Sequence, residues 1–213
     1  AKGRKVGIID LTRGELGTRG NVETRKTEAI NASQIMGISV RENLAFADGF
    51  FQNDKVHQLA LIKVIRKYQP EIVLANTIDD RHPDHAKGAK LANDACFFSG
   101  LKKIETKLNG EPQEHWRPHR LFHYIQSNYL KPDFVVDISP FWEQKIAAVK
   151  AYTTQFYTGG NESLENQTFI STPHFMKFLE ARARELGQHV GVEFAEGFIS
   201  AKPLAVNDLY DFI

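Results

Sequence analysis

The chain has 213 residues, with 27 Lys and Arg set against 26 Asp and Glu for a net charge of +1, and the two signs are interspersed. That balance excludes the one-sided basic surface on which nucleic acids or acidic membranes bind nonspecifically, and no run approaches the ~18 consecutive apolar residues of a membrane span. A single cysteine, Cys96, excludes an internal disulfide framework and suits a reducing compartment, so one cytoplasmic domain over 1–213 is expected.

The apolar run Val6–Ile9, ending in Asp10-Leu11-Thr12, reads as a strand buried on both faces. Arg13 to Asn21 holds three glycines and reads as a loop. Ala29, Ala32, Ile35 and Met36 fall near helical spacing, so Glu23–Met36 is read as a helix stopped by Gly37. Leu44–Phe46 is a short strand, and Lys55–Tyr68 a helix with Val56, Leu59, Ile62 and Ile65 on one stripe, closed by Pro70. Glu71–Asn76 is a strand, and Pro83–Phe98 a helix with Pro at its first position. Leu121–Ile125 and Phe134–Ile138 are strands, Lys145–Phe156 and Phe175–Leu186 helices, and Val192–Ile199 is extended. The polar run Thr158–Thr172 is the loop expected to be mobile. Strands alternating with helices give an α/β fold with a mostly parallel sheet. Ligands of such sheets sit beyond the carboxyl ends of the strands. That rule points to the loops after Ile9, Phe46 and Asn76.

The loop after Asn76 is the richest in chemistry. Asp79-Asp80-Arg81-His82-Pro83-Asp84-His85 packs three carboxylates, two imidazoles and a guanidinium into seven residues. Two histidines three apart at a helix start can share one side of its first turn. One then serves as a metal ligand and one faces substrate, with Asp84 as the natural orienting partner of His82. A solvated loop with a helix-capping aspartate explains the same residues equally well. A catalytic zinc needs three protein ligands and an open position, and no other segment offers an obvious partner. The glycine-rich Gly14–Gly20 does not fit Gly-x-Gly-x-x-Gly, which argues against a dinucleotide-binding module.

Asp80-Arg81-His82-Pro83-Asp84-His85-Ala86 resembles the second metal motif of the LmbE/PIG-L zinc-dependent de-N-acetylases. Asp10–Gly17, Asn21–Ala29, Lys131–Phe134, Asp137–Ser139, Ala151–Phe156 and Phe194–Phe198 extend the resemblance, in particular to the branch that serves bacillithiol biosynthesis. The resemblance implies a Rossmann-like three-layer α/β sandwich and a zinc-dependent hydrolase that removes the acetyl group from N-acetylglucosaminyl-L-malate. Ferrous iron is the other ion such ligands accept. It makes His85 a metal ligand, His82 the group that steadies the oxyanion or protonates the leaving amine, and Asp84 the residue that tunes His82. Arg25 becomes the contact for the malate carboxylate or a sugar oxygen, and Asp48 a partner of sugar hydroxyls. Without it, Arg25 reads as a helix-surface arginine paired with Glu28 or solvent, and Asp48 as a turn residue before Gly49.

The family's opening strand and its Ala-His-x-Asp-Asp metal loop have no counterpart in these 213 residues. The resemblance therefore implies an absent front segment of roughly 30 residues by usual element lengths. Two other functions compete: deacetylation of a different N-acetylglucosamine compound, and a non-catalytic sugar- or metal-binding protein that lost the zinc loop. Tyr124 and Gln126 end a strand and are candidates to reach the site. His115, His119, His123, His174 and His189 read as surface or interface residues, and Cys96 as buried packing. Phe50, Phe51 and Trp142 are read as exposed aromatics, which makes a homo-oligomer the expected state. The only other partner expected is a small sugar conjugate, with no nucleic acid and no membrane.

Overall fold

The computed structural model describes residues 3–157 and 167–212. They fall into two compact units, one drawn from the described residues of Ala1–Phe51 and Val135–Glu196, the other from those of Gln52–Phe134 and Gly197–Ile213. The architecture is α/β. No helix of the described residues is long and apolar enough to cross a membrane.

The first unit begins with β1 (Gly7–Thr12), α1 (Val22–Met36) and β2 (Val40–Phe46). β1 and β2 pair in parallel from Gly7↔Val40 to Asp10↔Asn43, with a register shift before Thr12↔Phe46. Parallel neighbours need a crossover, and α1 supplies it. The helix starts where Asn21 and Thr24 cap one another, Thr24 N donating to Asn21 Oδ1 at 2.8 Å and Asn21 N to Thr24 Oγ1 at 2.9 Å. It ends where the Gly37 N–H closes onto Gln34 and Ser33 carbonyls. Arg41 forks onto both oxygens of Asp10 at 2.7 and 2.8 Å and caps the Ala29 carbonyl, tying β2 to β1 and to α1. β1 was expected to be buried on both faces. It pairs with β2 alone among the described residues; Gly7 is exposed and Ile8–Thr12 are only half-buried.

α4 (Trp142–Lys150) packs on α1, and α5 (Pro173–Gln188) follows. The core of this unit is Trp142, Ala183 and Phe194 with Ile138 and Ile146 against them, and the Trp142 and Phe194 rings stack at 4.2 Å. Trp142 and Phe51 are therefore core residues, 7% and 2% exposed, not the surface aromatics expected; Phe50 does face solvent. α4 stops at Lys150 rather than running to Phe156, because the buried Glu28 carboxylate takes the next segment out of the helix. It accepts from Thr153 Oγ1 (3.1 Å), Thr154 N (2.6 Å) and Thr154 Oγ1 (3.0 Å). Of the loop expected to be mobile, 158–166 lies outside the described residues, and Phe169–Ser171 is a short 3-10 turn.

In the second unit α2 (Lys55–Tyr68) is capped by Asp54, whose side chain accepts from Val56 N and His57 N. Of the stripe expected at Val56, Leu59, Ile62 and Ile65, only the last two are buried; Val56 is exposed and Leu59 half-buried. Leu61 and Val64 complete the buried face, with which the helix packs on α3 (Pro83–Phe98), which buries Ala89, Leu91, Ala95 and Cys96. β3 (Ile72–Ala75) and β6 (Arg120–Tyr124) pair in parallel, Ile72↔Arg120 to Ala75↔His123. β8 (Ala195–Ser200) then pairs antiparallel with β6 through Phe198–Ser200, Tyr124 opposite Phe198, giving the order β3-β6-β8; β7 is Phe134–Asp137. The expected parallel character thus holds for two pairs and fails at β8. A hairpin not anticipated, β4 (Lys107–Leu108) and β5 (Glu111–Pro112), turns through Asn109 and Gly110 at φ 52° and 90°. Positive φ at both turn positions is what an Asn-Gly pair supplies.

Arg66 roofs this region. It is 4% exposed and donates to the Ser99, Leu101 and Ile104 carbonyls and the Thr106 hydroxyl at 2.6–3.0 Å. These are the carbonyls just past the end of α3, where a cation meets the negative end of the helix dipole.

Candidate active site

β3 ends at Ala75 and the chain turns through Asn76–Arg81 into α3, so the loop lies at the carboxyl end of a parallel strand. The β6 strand beside it leads into the loop that carries Asn128. Asn128 Nδ2 donates to Asp79 at 3.0 Å and its N–H to Asp80 at 3.3 Å, joining the two strand-end loops.

His82 is the N-cap of α3, and its Nδ1 accepts from Asp84 N at 3.2 Å. An accepting Nδ1 places the proton of the neutral ring on Nε2. His85 has the opposite arrangement. Its Nδ1 lies 2.5 Å from Asp80 Oδ2, so Nδ1 carries the proton and the neutral ring presents a lone pair at Nε2. The two rings stack with centroids 5.1 Å apart. One helical turn therefore holds an imidazole poised to donate beside an imidazole poised to accept or to ligate.

Asp80 makes this possible. Its side chain is 0% exposed, and burial by itself pushes its carboxyl upward. The hydrogen bonds from His85, from the Arg81 N–H at 2.8 Å and from Asn128 outweigh that and hold it below the usual carboxylate range. The carboxylate–imidazole pair is thus Asp80 with His85. The expected tuning of His82 by Asp84 takes another form: Asp84 reaches His82 through its backbone N–H, while its carboxylate meets Lys87 Nζ at 3.0 Å. The one-turn offset decides this, since α3 begins at Pro83 and Asp80 precedes the helix, free to reach back to His85. His123, read as a surface residue, is buried on β6 with Nδ1 2.7 Å from the Asn76 carbonyl.

A carboxylate-braced imidazole is the usual form of a metal-ligating histidine, so His85 fits that role. No group of three His, Cys, Asp or Glu able to hold a metal gathers among the described residues. These residues alone do not complete a metal site.

The other two candidates, Arg25 and Asp48, belong to the first unit. Asp48 follows β2 and staples the loop after β1: its oxygens accept from Thr12 Oγ1 (3.2 Å) and Leu16 N (3.1 Å), and its own N–H donates to Glu15 at 3.1 Å. That last bond is the main reason the Glu15 carboxyl sits below its ordinary value. Arg25 lies in the first turns of α1 with Nη2 donating to the Arg19 carbonyl at 2.9 Å. It makes no ion pair to Glu28, whose oxygens are taken by Thr153 and Thr154. Its Nε is buried and has no hydrogen-bond partner among the described residues. Burial lowers the Arg25 pKa, opposed by the nearby charges of Glu28 and Asp48.

Asp80 was visible in the motif but not as the brace; Asn128 and Glu28 carry no sequence signal, because each acts on residues 48 and 125 or more positions away.

Residues 1–96 match the PIG-L family, described as GlcNAc-PI de-N-acetylase. The solved structure of a conserved protein from Thermus thermophilus is 35% identical and superposes with a TM-score of 0.85 over 98% of this chain and 86% of that one. The 4-oxalmesaconate hydratase of Pseudomonas putida is 29% identical over 147 residues, 67% of this chain and 55% of the hydratase. The diacetylchitobiose deacetylase of Thermococcus kodakarensis is 28% identical over 157 residues, 70% of this chain and 56% of the deacetylase. The chain spans about half the length of these two curated relatives. It belongs to the PIG-L/LmbE de-N-acetylase superfamily.

Proposed function

We propose that the protein is an N-deacetylase that hydrolyses the acetamide of an N-acetylglucosaminyl conjugate, releasing acetate and a free amine. The carrying observation is the complementary imidazole pair on the first turn of α3, braced by Asp80. Water adds to the acetyl carbonyl, and the tetrahedral oxyanion needs a donor. His82 Nε2–H is that hydrogen-bond donor, and the proton that the attacking water gives up ends on the departing amine nitrogen as the C–N bond breaks, so the ring keeps its own proton over the cycle. A preorganised donor of this kind contributes about 3–4 kcal/mol, so His82→Ala is expected to lower kcat by about 100-fold or more. His85, with its free Nε2, is in this reading one ligand of a zinc ion, ferrous iron being the alternative.

N-acetylglucosaminyl-L-malate is the favoured substrate. Arg25 supports it: a half-buried guanidinium with no ion pair among the described residues suits a carboxylate, which matches its fork geometry. Asp48 contributes by holding the loop around Arg25, with its remaining lone pairs available to sugar hydroxyls. A cytoplasmic setting and self-association through exposed side chains such as Phe50 complete the reading.

The identity of the hydratase relative gives the second reading, hydration of an unsaturated carboxylic acid, since an acid–base imidazole pair and an unpaired arginine suit that chemistry also. Metal content and amine release from N-acetylglucosaminyl-L-malate decide the matter, measured on the protein beside its His85→Ala variant. Bound metal and amine release, both lost in the variant, support the deacetylase. Release from another N-acetyl sugar alone overturns the malate assignment. No release from any N-acetyl sugar overturns the deacetylase, and hydration of a carboxylic acid then favours the second reading.

A further inference from the structure

The loop Gly14–Gly20 wraps the end of Arg25. Asp48 pins its first half through Leu16 N and Thr12, and Gly17 N donates back to the Gly14 carbonyl at 3.1 Å. Its second half supplies the Arg19 carbonyl that takes Nη2. Gly17 lies between these anchors, and it has no unusual backbone conformation to explain the glycine. The reason is space. A Cβ at Gly17 would sit inside van der Waals contact with Arg25 Nη2, 3.3 Å from Cζ and 3.2 Å from the Gly14 carbonyl oxygen. The closest atom, Nη2, is the far end of a flexible side chain, so the severe overlap of a methyl group there is relieved by moving the guanidinium; the contact with the Gly14 carbonyl oxygen is milder.

On the far side, Gly20 packs on the Thr154 side chain, with Thr154 Oγ1 2.7 Å and Thr154 Cβ 3.1 Å from where a Cβ at Gly20 would lie. Thr154 is in turn fixed by Glu28, one turn along α1 from Arg25. The loop is thus anchored by carboxylates at both ends, Asp48 at one and Glu28 at the other. The guanidinium is left with Nη2 committed, Nε buried without a partner, and Nη1 bonded to no described residue.

We infer that Gly17 is the positioning residue for Arg25: the absence of a side chain there sets where the guanidinium presents its unused N–H groups, and so sets the fit for a carboxylate-bearing ligand. The inference rests on the reading of Arg25 as an anion contact only for its last clause; the placement of Arg25 by Gly17 stands on geometry alone.

The test follows the Arg25 Nε–H signal by 1H–15N NMR, identified by its loss in Arg25→Lys, with L-malate as the probe. In Gly17→Ala the signal is expected to move before any ligand is added, and the L-malate Kd to rise about tenfold or more, the equivalent of one charge-assisted hydrogen bond. A signal unmoved by Gly17→Ala overturns the inference. A signal that moves in Gly17→Ala, combined with no response of the wild type to L-malate, retains Gly17 as the positioning residue and overturns the Arg25 anion reading instead. Thermal unfolding covers a variant too unstable for NMR. Gly17→Ala is expected to lower Tm more in the wild-type background than in Arg25→Met, where the guanidinium is gone and only the Gly14 carbonyl oxygen at 3.2 Å remains close. An equal loss in both backgrounds overturns the inference.

Discussion

Replacing Glu28 by alanine tests how the 151–156 segment is held. Glu28 is 4% exposed, and its two oxygens accept three hydrogen bonds, from Thr153 Oγ1, Thr154 N and Thr154 Oγ1. Hydrogen bonds to a charged group contribute roughly 1.5–3 kcal/mol each, but they are not additive, and the two hydroxyls can turn to other acceptors. The Thr154 N–H cannot turn. Leaving it unpaired costs about 1–3 kcal/mol, and removing the buried side chain adds a cavity cost. The expected loss for Glu28→Ala is therefore about 3–4 kcal/mol. Glu28→Gln keeps one oxygen for Thr153 and the Thr154 N–H, and its amide can donate to the Thr154 hydroxyl, so the expected cost is only about 1 kcal/mol. Urea unfolding of the three proteins gives both numbers, and hydrogen exchange at the Thr154 amide locates the effect, since its acceptor is the Glu28 carboxylate. Equal costs for the two substitutions, or a cost below about 1 kcal/mol for alanine, would refute the claim that this carboxylate pins the turn.

The remaining predictions concern other sites. Arg66→Met removes four hydrogen bonds; the Ser99 and Leu101 carbonyls keep the Trp116 and Ile104 N–H groups, while the Ile104 carbonyl and the Thr106 hydroxyl lose the guanidinium, and the expected destabilisation is about 3 kcal/mol. Faster amide exchange at Gln113, which bonds the Thr106 carbonyl, checks the local effect. Burial pushes the Cys96 thiol up to about 12, so it is expected to stay unreactive toward a thiol reagent at mildly alkaline pH and to react only on unfolding. Asp94 is pushed up by burial but held below its ordinary value by Lys90 at 2.8 Å and Asn53 at 2.7 Å. A depressed folded pKa stabilises above the unfolded value near ~3.9 and is lost as pH falls through the folded value. The Tm deficit of Asp94→Asn is thus expected to be full at pH ~6 and to vanish in strong acid; a deficit that grows on acidification would contradict this. Asp80→Ala removes the brace of His85 and, on the proposed function, is expected to lower deacetylation about 10- to 100-fold with the circular dichroism spectrum unchanged.

The sequence by itself determined the local structure wherever the local signal was strong. α2 and α3 span Lys55–Tyr68 and Pro83–Phe98 as their local signals place them, Pro70 just past the end of one and Pro83 at the start of the other, because a ring-locked φ acts within a few residues; which face of α2 is buried did not follow its expected stripe. The chemistry-bearing loop was legible for the same reason: its residues are contiguous and follow a strand whose apolar run marks its end. The Asn109-Gly110 pair is an equally local signal for the β4–β5 hairpin.

Only the tertiary structure decided matters that depend on groups far apart in the chain. α4 ends at Lys150 because Glu28, more than a hundred residues earlier, offers the following threonines a buried carboxylate in place of helical hydrogen bonds. Phe51 and Trp142 looked like surface aromatics because a single buried side chain carries no periodicity; Phe194 stacking on Trp142 is what buries the indole. The choice of Asp80 over Asp84 as the imidazole's brace turned on the side of Pro83 where α3 starts and on an N–H delivered by Asn128 from the next strand's loop. Gly17 shows the same limit: a glycine at an ordinary backbone conformation is explained only by the Arg25 guanidinium folded against it. Helices and strands follow from neighbours along the chain, whereas hydrogen-bond partners and free volume are set by neighbours in space.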